Sequence, residues 1–474
     1  MPDADIPFPL SSAPGRAPNE GAGRLINCAA EALGQGAASP AVWRRVAGLV
    51  QFCAGTQSGC RGFLEVNGVL FAVIGQQLVY IDSGGTVNVV GVVAGTKRVT
   101  MARNNKKPTP DMVMVTENGA FVFTFTTITA YPDADLPVPN SVTFQDGYFF
   151  FPIADGRAFN SDLNDTAVNA LGYTTAESKP DGLSRAIAWN NQLLLFGPYS
   201  LEFYVDNANP APAFPYSRST TISRGLAGQF AVAGHENGFG GAALIWVADD
   251  NTVVRLNGYG FEKISPPDLD RLIEAVSDKE TLEAFVYAAG GHSKWVLSSP
   301  DWTWEFDLGS QKWNERESHG LSRWTATCSV FAFGIWLVGD ANSAKVYQVD
   351  STAHTENGTP LRMRIESGPV QNFPNRTRVP RADFDFANGE GDAAAATTPE
   401  TSPVVEISYS DDGGSTWSLP LQRPLGPQGR FGQRVTVTRC GQTGPRGRRW
   451  RLDISDPVYA GLVRGVQATD MRRE

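Results

Sequence analysis

The 474-residue chain contains no apolar run of about 18 residues, which excludes a membrane-spanning helix. It has only five cysteines, and Cys28, Cys53, Cys60, Cys328 and Cys440 form no CxxC pair and leave an odd one. Reduced, buried thiols are expected; a Cys53–Cys60 loop bridge is the alternative, disfavoured in a reducing compartment. The four histidines, His235, His292, His319 and His354, lie far apart without H-x-E or HExxH spacing, so neither a metal site nor a cofactor is expected. Basic residues are in deficit, with Lys+Arg 40 against Asp+Glu 49 and a net charge of −9. A protein that grips nucleic acid carries a basic patch, because neutralised phosphates release counterions. The one dense basic run, RCGQTGPRGRRWR (Arg439–Arg451), lies between strand-like runs and is read as a solvated or partner-facing loop. No G-x-S-x-G and no P-loop occurs. The first residues, MPDADIPFPLSSAPGR, lack the basic start and apolar core of a signal peptide, so synthesis is expected in the cytosol.

What is present is a repeat. A short aromatic-rich strand, a tight turn and a second strand recur about seven times between Gly62 and Asp350. The copies are Phe63–Asp82, Met112–Phe125, Thr143–Ser161, Ala186–Val205, Ala243–Gly258, His292–Trp313 and Phe333–Asp350. Repeats spaced roughly 30–55 residues apart mean blades or arrays, because no single copy can bury its own apolar face. Val, Ile, Phe, Tyr and Trp suit a pleated surface. Asn67-Gly68, Asn118-Gly119, Asp146-Gly147 and Asp155-Gly156 supply the positive φ angles of tight hairpins. The fold expected is all-β: an irregular β-propeller of about six or seven blades, a C-terminal β-sandwich and an extended N-terminal arm.

Residues 1–45 are read as the arm, since Pro2, Pro7, Pro9, Pro14 and Pro18 interrupt regular structure. The propeller is expected over 46–350 and the sandwich over 351–474. Within the latter, NGEGDAAAATTPETSP (388–403) is low-complexity and read as a mobile loop. One helix is expected: Pro266-Pro267-Asp268 starts it, and Leu269, Leu272, Ile273 and Val276 share a face. GHENGFGG (Gly234–Gly241) matches no dinucleotide fingerprint and is read as a surface loop.

SYSDDGGSTW contains Ser410-x-Asp412-x-Gly414-x-Thr416-Trp417, an Asp box. Asp412 can accept turn N–H groups, Gly414 can take positive φ, and Trp417 can pack beneath the hairpin. The motif is a folding device with no catalytic role of its own, so no catalytic residue is assigned. Because Asp boxes recur in glycan-acting propellers, a sialidase-like hydrolase or a glycan-binding adhesin is the alternative reading. A glycosidase would need paired carboxylates or an arginine cluster with a tyrosine nucleophile.

Several stretches, in order, resemble the packaged-DNA stabilisation proteins of short-tailed bacteriophages, also called tail hub or nozzle proteins. They are GRLINCAAEAL (Gly23–Leu33), WRRVAGL (Trp43–Leu49), RGFLEVNGVLFAV, RVTMA (Arg98–Ala102), FQDGYFFF, AESKPDGL (Ala176–Leu183), WNNQLLLFG, ISRGLA (Ile222–Ala227), VVRLNGYGFEKIS, YSDDGGSTW and LDISDPV (Leu452–Val458). The Ala/Thr-rich loop at 391–402 and the Pro-rich start depart from the family. The resemblance implies a non-enzymatic virion protein, made in the host cytoplasm. It implies a ring, usually hexameric, below the portal and adaptor, which continues the DNA channel and retains the genome. A needle, plug or internal gate would keep it closed until ejection, and tail fibres or spikes would attach outside. Six chains at −9 give −54, while a channel of ~50 Å would hold roughly 30 phosphates. Such an acidic ring favours double-stranded DNA sliding through without specific binding.

Overall fold

The computed structural model describes residues 3–176, 179, 181–207, 214–240, 243–387, 389, 391 and 398–470. Seven four-stranded antiparallel meanders form a closed propeller, one per sequence repeat. Blade one is Cys60–Val66, Val69–Ile74, Gln77–Ile81 and Val87–Val92. Blades two to six begin with the innermost strands Thr100–Arg103, Thr143–Gln145, Arg185–Trp189, Val232–Ala233 and Glu283–Ala289. Blade seven comprises Ala326–Ala332, Ile335–Asp340 and Lys345–Asp350, and takes its outermost strand, Gly48–Ala54, from the start of the ring. That pairing, Val349 opposite Leu49 and Val346 opposite Cys53, closes the circle with hydrogen bonds. Second strands such as Leu193–Phe196 are wholly buried because neighbouring blades cover both faces. Asn67-Gly68 and Asp146-Gly147 take positive φ at both positions; in Asn118-Gly119 and Asp155-Gly156 only the glycine does.

The expected helix spans Pro267–Ala275 between blades five and six. Leu269 and Ile273 are buried, and Leu272 and Val276 pack on the same core.

The C-terminal region forms strands arranged in two sheets around one core. One sheet orders Arg24–Ile26, Met363–Glu366, Arg449–Ile454, Val404–Ser410 and Leu421–Pro424. The other orders Cys28–Ala32, Ala41–Arg45, Gly461–Asp470, Arg378–Phe386 and Val435–Thr438, with Asp3–Asp5 also on Gly461–Asp470. Residues 1–45 are therefore no free arm. Described positions 3–45 supply four strands to this sandwich, and Ile6, Phe8, Leu25, Cys28 and Trp43 lie in its core. The prolines interrupt only the stretch before residue 19; beyond it, alternating apolar residues pair as ordinary strands. Ile26 also pairs in parallel with Glu315, so blade six and the sandwich share one nine-stranded sheet. Of the connection expected to be mobile over 388–403, residues 388, 390 and 392–397 lie outside the described residues, and Thr398–Thr401 forms a short helix.

Candidate functional site

The Asp box follows the strand Val404–Ser410 and builds its turn from side chains. The Ser410 hydroxyl donates to Asp412 Oδ1 at 2.7 Å and accepts the Gly414 N–H at 2.8 Å. Asp412 Oδ1 accepts the Thr416 N–H at 2.9 Å, and Oδ2 accepts the Thr416 hydroxyl at 2.6 Å. Partial burial pushes the Asp412 carboxyl up, but Thr416 and Ser410 outweigh it and hold the group well below the usual carboxylate range. Gly414 has φ +102, where a side chain would be strained. Trp417 stacks on Arg451, whose Cζ lies 3.9 Å from the ring centroid.

Beside Trp417 lies a cavity of about 270 Å³ lined by Arg16, Arg24, Glu366, Arg449 and Arg451. Arginine and tryptophan together could receive an anionic or sugar-like group. Its lining includes one acid, Glu366, already paired with Arg451 at 2.8 Å. Two-carboxylate hydrolysis, which needs a free pair, has no second member in this lining.

A second cavity, about 190 Å³, sits where blades six and seven meet the sandwich, with Glu31, Arg44, His292, Lys294, His354 and Tyr459 in its wall. Arg44 pairs with Glu31 at 2.6 Å, and His292 Nδ1 and Lys294 Nζ approach Asp307 at 2.7 and 3.2 Å. Burial pushes the Asp307 carboxyl up, but the bond from His292 and the charge of Lys294 hold it well below its ordinary range. Arg45 ties the two sheets of the sandwich together by donating to the carbonyls of Ile454, Asp456 and Val458 at 2.8–3.0 Å.

His292 and His354 share the wall of that cavity, and no cluster of three metal-ligating side chains occurs among the described residues. All five cysteines are free and buried. Cys60 Sγ faces Cys328 Sγ at 3.4 Å across the junction of blades one and seven, not Cys53. Burial and this neighbour push the Cys60 thiol well up. The basic run Arg439–Arg451 is no solvated loop over its last four residues. Arg448 is buried and bidentate with Asp411 at 2.7 and 2.8 Å, Arg449 is buried, and Arg451 pairs with Glu366. Asp411 and Glu366 draw Arg448 and Arg451 inward and the Gly21 carbonyl accepts from Arg449, which composition along one segment cannot reveal.

Arg98, just before blade two, reaches across to donate to the Ala284 carbonyl of blade six at 3.3 Å and lies 5.0 Å from the Phe230 ring. The segment Gly234–Gly240 spans from blade five to blade seven, where Phe239 meets Trp336 at 6.2 Å. It is a surface loop, as expected, with Asn237, Gly238 and Gly240 exposed and Phe239 anchoring it.

A family model described as "Bacteriophage P22 Gp10, beta-propeller" matches residues 24–354, more than half of the chain. No curated relative matches the sequence. Similar solved structures include the computationally designed Ika8 protein, at 10% identity and TM-score 0.40, covering 63% of this chain and 100% of that one. A catalytically inactive virginiamycin B lyase from Staphylococcus aureus, solved with quinupristin, has 12% identity and TM-score 0.42, covering 63% and 97%. PorZ of Porphyromonas gingivalis has 11% identity and TM-score 0.37, covering 69% and 44%.

Proposed function

The chain belongs to the phage-stabilisation family of P22 Gp10, a family of virion tail structural proteins, and from that premise we propose that it builds the tail nozzle. In this reading copies of the chain assemble as a ring, a hexamer, below the portal and its adaptor. The ring continues the DNA channel, retains the packaged genome and gates its ejection, with a needle or plug closing it and fibres or spikes anchored outside. The observation that carries the reading is the extent of the family match. It takes in the entire ring, the closing strand Gly48–Ala54 and the linking strand Arg24–Ile26.

Two structural features support it. Arg98 bridges from blade two to the Ala284 carbonyl of blade six beside Phe230, which favours a DNA passage between copies over one through a single propeller. The propeller region, residues 46–354, holds 20 Lys+Arg against 31 Asp+Glu, and an acidic surface gives DNA little counterion-release affinity. The protein then acts through shape and not as an enzyme. The one cavity beside the Asp box lacks a free carboxylate pair in its lining, which weighs against the glycosidase alternative.

Native mass spectrometry tests this directly. Six copies of the 51.0 kDa chain give about 306 kDa, and a species of that mass, alone or with the adaptor, is expected. A chain that stays monomeric with and without the adaptor, or that cleaves sialosides, overturns the reading.

A further inference from the structure

Arg98 of blade two and Arg185 of blade four converge on one ring: their Cζ atoms lie 5.0 and 5.2 Å from the centroid of buried Phe230. Each guanidinium carries five N–H donors. Among the described residues Arg98 makes one hydrogen bond to protein, with the Ala284 carbonyl, and Arg185 one, with the Gln229 carbonyl at 3.0 Å. Arg98 Nε and His235 Nδ1 are buried without a hydrogen-bond partner, although His235 Nδ1 lies 3.9 Å from Glu236 Oε2. Burial, then the neighbouring charge of Arg98, pushes Arg185 down to about 10; burial and both arginines likewise lower His235. The opposing charge at Arg185 and His235 comes from Glu236, which already accepts the Gly234 N–H at 2.7 Å.

Two like charges held around one ring repel each other; both side chains are half-buried, and of their donors Arg98 Nε is buried without an acceptor. Cation–π contact with Phe230 offsets only part of this. Glu236 supplies one negative charge to two arginines, so the residual field is positive, and the arginines offer donors only. A metal ion is disfavoured there, while an anion with several acceptor oxygens matches both charge and geometry. Arg98 and the Gly234–Gly240 segment restrict access along the axis, so the occupant must be small.

We propose that the propeller axis holds a binding site for a small tetrahedral oxyanion of the phosphate class, with Arg98, Arg185 and His235 as its ligands. The anion would bridge blades two, four and five and stiffen the ring from within.

Isothermal titration of the intact protein with inorganic phosphate at constant ionic strength tests the site. Saturable binding is expected, and phosphate at a hundredfold excess over Kd should raise Tm by about 2–5 °C. Sulfate should act likewise; acetate and matched chloride should not. The variants R185Q and H235N should each weaken phosphate at least tenfold. No saturable binding by the native chain, an equal shift from chloride or acetate, or unchanged affinity in H235N overturns the proposal. H235N decides the matter if R185Q fails to fold.

Discussion

The propeller and the sandwich use the same kind of strand but join it in opposite ways. Blades one to six pair strands that are adjacent in sequence, and blade seven borrows only Gly48–Ala54 from the start of the ring. The sandwich pairs Arg24–Ile26 with Met363–Glu366, and Ala41–Arg45 with Gly461–Asp470, across more than 300 residues. Their chemistry differs too. Over residues 46–354 acids outnumber bases 31 to 20, and all nine lysines fall between Lys97 and Lys345. Outside that region 20 arginines face 18 acids, with no lysine. Arginine's planar fork suits fixed ion pairs between strands, as Arg364–Asp453, Arg448–Asp411 and Arg451–Glu366 illustrate. The propeller is a product of local repetition; the sandwich is a clasp made by the two ends of the chain.

The largest test of that contrast is to remove one end. A chain lacking residues 1–45 loses four strands and the core residues Ile6, Phe8, Leu25 and Trp43. The sandwich should not fold, while the propeller, which retains Gly48–Ala54, should persist. Limited proteolysis with mass mapping should give a protected fragment near 46–354. Uniform digestion of both regions would mean that they are one cooperative unit.

This division also explains what the sequence could reveal. Every repeat lies in one blade because alternation and Asn-Gly or Asp-Gly turns are local signals. The helix at Pro267–Ala275 was readable for the same reason. The closing strand and the N-terminal strands were not, because their partners lie at the far end of the chain, and five early prolines suggested an arm. Cys28 and Ala30, buried on alternate positions, were a faint signal there. At the candidate site, the Asp-box hydrogen bonds follow from spacing alone. The ring of Arg98, Arg185 and Phe230 required the fold to bring blades two, four and five together.

Two core substitutions sharpen the comparison. Arg316 is fully buried, donates to Glu305 and Tyr287 at 3.1 Å, and stacks 3.9 Å from the Trp324 ring. Arg316→Ala strands a buried carboxylate and should cost about 3–5 kcal/mol. Trp450→Ala empties the middle of the sandwich, leaves Gln467 without its indole donor at 2.9 Å, and should cost about 3–5 kcal/mol. In calorimetry the first should lower the propeller transition and the second the sandwich transition. Equal movement of both transitions by either variant would break the picture of separate units.

Acid should act first through the propeller. Asp307 is buried and its folded pKa is depressed by His292 and Lys294. A depressed carboxylate adds stability that is present above its unfolded pKa of about 3.9 and is lost as pH falls through the folded value. The contribution is on the order of 2 kcal/mol. Urea midpoints for the native chain should therefore drop below about pH 4, and Asp307→Asn should flatten that drop while lowering the midpoint at pH 7. A native-like acid profile in the variant would exclude Asp307 as the titrating group.

The smallest effect belongs to the Asp box. Asp412 is exposed, so solvent screens its interactions even though its carboxyl is held well below the ordinary range. Asp412→Ala should cost less than about 1 kcal/mol. The Ser410 hydroxyl is different: it is buried and links the Gly414 N–H to Asp412. Ser410→Ala leaves that amide without its acceptor and should cost about 1–3 kcal/mol. Denaturant titration of the sandwich transition should rank Ser410→Ala above Asp412→Ala, because burial, and not charge, sets the strength of the turn. The reverse order would mean that the carboxylate organises the hairpin and the serine only follows it.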